Sequence, residues 1–238
     1  MASPEAATAA PRFKKSIARE YLESIVVAVI LALFIRTFVV QAFKIPTGSM
    51  EKNLLIGDHL LVNKVVYSPS GLPAERALLP KKPIQRGHVV VFKFPEDPAR
   101  DFIKRVIGLP GETVEIRNKT VFIDGQRLDE AYVHFLEPPV DSEFAEVHPR
   151  GDGRDNWGPQ TVPAGHLFVM GDNRDNSRDS RFWGFLPIDQ VKGRALIVYW
   201  SYEASREEYH RTGYLDWLRD TVAAFGKTRW DRFFHMIR

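Results

Sequence analysis

Ser49 lies in Ile45-Pro-Thr-Gly-Ser-Met-Glu-Lys52, a Pro/Gly-bent stretch just after an apolar segment. Such a turn exposes a hydroxyl and points nearby N–H groups at one spot. A serine acts as a nucleophile when a base takes its proton and donors hold the oxyanion. A base is available downstream in Asp101-Phe-Ile-Lys104-Arg-Val-Ile-Gly-Leu-Pro-Gly-Glu112. In FIKRVI, strand alternation puts Phe102, Lys104 and Val106 on one face and Ile103, Arg105 and Ile107 on the other. Lys104 thus has apolar neighbours before and behind it. A lysine accepts a proton only when neutral, and desolvation lowers its pKa from about 10.4. The ordinary reading of Lys104 and Arg105 is a pair of strand residues that snorkel to water. Arg105 cannot act as a base. A third block, Gly171-Asp-Asn-Arg-Asp-Asn-Ser177-Arg-Asp-Ser-Arg-Phe-Trp-Gly184, is dense in polar groups.

A second lysine competes for the role. Ser49-x-x-Lys52 matches the Ser-x-x-Lys of penicillin-binding proteins and class A β-lactamases, which also require Ser-Asp-Asn and Lys-Thr-Gly. Neither triplet occurs in this chain, so Lys52 is read as a solvated lysine. With no cysteine present, thiol catalysis, disulfides and Cys-type zinc sites drop out together. The histidines form no metal-spaced pair, so neither a metal nor another cofactor is expected. A net charge of +3, with both signs interspersed, lacks the one-signed stripe of a nucleic-acid-binding surface.

Taken in order, the three blocks resemble the bacterial type I signal peptidase (leader peptidase) family, from about Ile25 to Tyr202. The resemblance selects Lys104 as the base, because the family motif is this Lys-Arg pair followed by a Gly-Leu-Pro-Gly-type turn. It implies that Ser49 attacks the scissile carbonyl and that Thr47 and the Ser49 N–H form the oxyanion hole. Ser177 matches the serine that orients the lysine, and Asp179 and Arg181 match a supporting ion pair. Asp172, Asn173, Arg174 and Asp175 are read as loop-building. The implied activity is that of a membrane-bound serine endopeptidase that removes signal peptides. Its implied substrates are exported preproteins with small residues before the cut. An inactive or self-cleaving relative of the same Ser–Lys β-fold is the alternative.

The positioning elements follow from the hydropathy pattern. Ile25–Ile35 reads IVVAVILALFI, and the apolar run continues past Arg36 and Thr37 to Phe43. A span of Ile25–Phe43 is close to the ~20 residues that cross hydrocarbon, which predicts one transmembrane anchor in the lipid bilayer. Arg12, Lys14, Lys15 and Arg19 precede it, so residues 1–24 are expected in the cytoplasm and the rest outside the inner membrane. Residues 44–209 carry short β-type runs at 59–67, 88–94, 105–109, 113–116, 120–123, 166–172 and 194–200. Asn118-Lys119 and Asp124-Gly125 stand where hairpin turns belong. The expected fold is mainly β, an antiparallel sheet domain of the signal peptidase type. Residues 68–86 and 137–165 are loop-rich insertions. In 210–238, Leu215, Leu218, Val222 and Phe225, and again Trp230, Phe233 or Phe234, and Ile237, fall at helical spacing. This predicts an amphipathic tail.

Overall fold

The structure is a computed structural model and describes residues 16–65, 83–136, 154–203 and 226–237. Much of the two loop-rich insertions, and Leu215–Phe225, lie outside the described residues.

Helix α1 (Ile17–Phe34) begins eight residues before the unbroken apolar run. Ser16 sets that start, since its hydroxyl accepts from the Arg19 N–H and Glu20 lies in the positive first turn. A π-helical turn, Ile35–Val39, extends it. Ile17–Val39 has the length and apolarity to cross a bilayer, and none of that span is buried. The apolar run does not continue as helix to Phe43. Val40–Lys44 is strand β1, paired with β2 (Asp58–Asn63) from Val40↔Asn63 to Lys44↔His59. The β-branched and aromatic content after Thr37 suits a sheet as well as a span, and pairing decides it. The chain divides into two compact units after Phe38.

Among the described residues the second unit contains two antiparallel sheets. The larger also includes β3 (Val89–Phe94), β4 (Asp97–Gly108), β9 (His166–Met170), β10 (Leu186–Pro187), β11 (Val191–Ser201) and β12 (His235–Met236). Its order is β1-β2-β11-β3-β4-β9-β10, with β12 on β11. The smaller runs β7-β6-β5-β8, from β5 (Thr113–Arg117), β6 (Thr120–Ile123), β7 (Gln126–Arg127) and β8 (Trp157–Thr161). Asn118 and Lys119 (φ 47° and 67°) and Asp124 and Gly125 (φ 49° and 78°) close its two hairpins. Positive φ at both central residues gives the type I′ twist that such two-residue loops need.

Among the described residues three apolar clusters form the unit's core. One joins Ile45, Met50 and Leu54 around the Ser49 turn to Leu60, Val62, Ile103 and Val198. Phe92, Val106, Leu167 and Leu186 form a second, and the small sheet packs Val114, Ile116 and Val121 against Phe168. Residues 230–237 are not the second half of an amphipathic helix. Trp230–Arg232 is a single 3-10 turn, Phe234 has φ 54°, and β12 pairs Ile197↔Met236 with β11. Arg232 anchors this segment by donating to both carboxylate oxygens of the fully buried Asp58 and to the Asn53 carbonyl. Ile237 enters the first cluster. Those tertiary partners outweigh the local helical period.

Candidate active site

Ser49 sits in a 3-10 turn, Gly48–Met50, between β1 and β2. The turn keeps Met50 in the core and turns Ser49 towards β4. Lys104, in the middle of β4, places Nζ 2.6 Å from Ser49 Oγ. Both residues are buried, 5% and 3% exposed. Together with Pro46, Thr47, Phe102 and Ile103 they line an open cleft of about 280 Å³. Lys52 is exposed.

The polar block after β9 holds this turn in place. The Asn173 N–H donates to the Ser49 carbonyl at 3.1 Å, and its side-chain amide donates to the Gly48 carbonyl at 3.1 Å. Gly171 passes so close to the Ser177 side chain and the Ser49 carbonyl that a Cβ would collide with both. Asp179 and Arg181 form a buried ion pair at 2.8 Å, and Asp179 also accepts from the Gly171 N–H. Burial alone would raise the Asp179 carboxyl, but the Arg181 guanidinium and the Gly171 N–H hold it below the usual carboxylate range. Ser177 is buried beside the pair. Its hydroxyl makes no well-formed hydrogen bond among the described residues, though it lies close enough to Asp179 to help hold that carboxyl low, and the orienting bond expected from it to Lys104 is not formed here.

Arg105 does not snorkel. It is 2% exposed and grips Asp172 with two bonds, 2.7 and 2.6 Å, while Asn53, three residues before Ile56 in the loop after Ser49, donates to the same carboxylate. Tyr132 covers the guanidinium at 4.1 Å. The strand alternation that singles out Lys104 therefore has a second buried cation on the opposite face. Asp172, 67 residues downstream, is the partner that single-residue inspection misses. The density of acidic and basic residues in the third block was the available signal.

Burial pushes Lys104 down to about 8; the Asp179 and Asp172 carboxylates oppose that shift, and Arg181 adds to it. A lysine so poised is partly neutral near neutrality and can take a proton. The pH dependence follows. Cleavage should rise with pH through a limb near 8, and a flat profile between pH 6 and 9 would exclude Lys104 as the base. Below pH 8 both folded and unfolded lysine are charged, and the folded state carries the full cost of burying that charge. Between about 8 and 10.5 the unfolded chain alone holds the proton, so stability rises with pH; above 10.5 the cost is gone. Lys104→Met should then be more stable than wild type by up to about 3 kcal/mol at pH 7, with the difference closing by pH 10.5. Denaturant midpoints across this range measure it.

His59 packs against Tyr199, Trp200 and Tyr202, and burial pushes it to about 4. Among the described residues no cluster of three His, Cys, Asp or Glu could hold a metal ion.

The family described as Signal peptidase, peptidase S26, matches residues 18–200. Signal peptidase I of Leptolyngbya laminosa is 39% identical over 188 residues, covering 76% of this chain and 79% of that protein. Signal peptidase I of Pseudomonas fluorescens is 33% identical over 230 residues, covering 85% and 79%. A crystal structure of a signal peptidase I from Enterococcus faecalis V583 has 36% sequence identity and a TM-score of 0.37, covering 48% of this chain and 97% of that one. The chain therefore belongs to the signal peptidase family, peptidase S26, and is a serine endopeptidase.

Proposed function

We propose that this enzyme removes N-terminal signal peptides from exported preproteins by a Ser49–Lys104 dyad. The observation that carries the reading is the 2.6 Å contact between a buried lysine amine and a buried serine hydroxyl. Neutral Lys104 takes the Ser49 proton as Oγ attacks the scissile carbonyl. The Ser49 N–H and the Thr47 hydroxyl hold the oxyanion. The ammonium then protonates the leaving amine, which departs with the mature protein, and an acyl-Ser49 remains. Lys104, neutral again, activates a water that hydrolyses the ester. Ser177 and the Asp179–Arg181 pair position the lysine.

Substrate enters as an extended strand. Beyond Arg105, β4 pairs with β9 through Gly108, whereas its Asp101–Lys104 stretch pairs with β3 alone. A peptide added to that second edge passes Ser49, and shallow pockets there admit small side chains. The helix over Ile17–Val39 is the anchor. With Arg12, Lys14, Lys15 and Arg19 before it, it leaves the N-terminal tail in the cytoplasm and the domain from Lys44 on the outer face of the inner membrane, where the cut site emerges.

Two measurements test this. Purified enzyme should cut a signal-bearing preprotein at a single bond, read by the new N-terminus, and should leave the mature form intact. Protease added to right-side-out vesicles should digest the domain after residue 44 and spare the N-terminal tail. A protected domain would overturn the orientation and the substrate assignment with it.

A further inference from the structure

The rim of the cleft carries a stack of side chains that this reaction does not use. The Phe94 and Phe102 rings lie 4.2 Å apart and nearly parallel, at 7°. The Arg178 guanidinium lies 5.3 Å from the Phe94 centroid, and that of Arg100 lies 5.5 Å from the Phe102 centroid. Arg100, Phe102 and Arg178 line the same cleft as Ser49 and Lys104. Stacking on a ring holds a guanidinium in place and reduces the entropy lost when it binds a carboxylate.

The charges at this rim are not evenly matched. Arg178 donates to Glu96, and Asp101 receives Lys192 at 2.6 Å. Arg100 is exposed and has no acidic partner among the described residues. It lies on β4, four residues before Lys104. A strand rises about 3.3 Å per residue, so a peptide laid along this edge brings side chains up to about four residues from its scissile bond level with Arg100. We propose that Arg100 makes the enzyme favour substrates with an acidic side chain at such a position. The inference rests on the peptidase reading and names one element of its selectivity.

The size of the effect follows from exposure. A solvent-accessible ion pair is weak and screened by salt, so the discrimination is about 3- to 10-fold in kcat/KM, carried mainly by KM.

A set of peptides with one cleavable core tests it. Glu, Gln or Lys is placed in turn at each of four positions on either side of the cut, and the Glu-to-Lys ratio of kcat/KM is measured for each enzyme. Wild type should favour Glu over Lys at one or two neighbouring positions in low salt, and lose the preference in 0.5 M NaCl. Arg100→Gln should flatten the ratio and Arg100→Glu should invert it. A ratio that is the same in wild type and Arg100→Glu, while the Gln peptides are cut, overturns the proposal and leaves the peptidase reading standing. A wild-type enzyme that cuts no peptide of the set overturns both.

Discussion

Ser49→Ala and Lys104→Ala should each lower the cleavage rate by roughly 10⁴- to 10⁶-fold, and the double variant should be no slower than either. In the proposed dyad nucleophile and base act as one unit, so removing one member strands the other. Lys104 is the lysine that touches Ser49 Oγ, at 2.6 Å, among the described residues. Lys52→Ala should change little, because Lys52 is exposed. Ser177→Ala offers a finer contrast. Its hydroxyl is buried beside Asp179 and makes no well-formed hydrogen bond, so its loss should change thermal stability little, while a positioning role lowers kcat. Wild-type turnover in Lys104→Ala, or its loss in Lys52→Ala, would reassign the base.

Asp172→Ala should cost about 3–5 kcal/mol, because it removes the carboxylate that takes two bonds from the buried Arg105 guanidinium. For a domain of this size that is a fall in Tm of about 6–20 °C. The carboxylate also accepts from Asn53 at 2.7 Å, so the loop that follows Ser49 loosens with it. Replacing both partners, Arg105→Met with Asp172→Leu, should recover much of the loss, since no lone charge then remains. Calorimetry of wild type, Asp172→Ala and the double variant decides the matter. A single Asp172→Ala within 1 kcal/mol of wild type would mean that water reaches Arg105.

What could be read in advance divides along the range of the forces. The small sheet's hairpins were legible because Asn118-Lys119 and Asp124-Gly125 determine turn geometry over two residues. The alternation in FIKRVI likewise gave the faces of β4. The end of the first helix was not legible, since Val40–Phe43, Gln41 apart, is apolar like the run before it and only its pairing with β2 removes it. Residues 230–237 misled for the same reason. Their helical period is local, while Asp58, the partner that anchors them, lies 174 residues away. At the site, the reactive types stood out individually. The hold of Asn173 on the Ser49 turn did not, because a backbone carbonyl carries no sequence signature.

The place of β11 between β2 and β3 has a kinetic meaning. The Ser49 turn leads into β2, and Lys104 lies on β4 beyond β3. The strand that joins the two halves, Val191–Ser201, carries neither residue and is made last among them. Until it inserts, β2 and β3 each keep an open edge, and loop closure across more than a hundred residues has to precede any pairing energy. Folding of this sheet should therefore be slow for its size. A protease whose proposed nucleophile and base stand on opposite sides of the strand made last should leave its neighbours, and itself, uncut until that strand is in place.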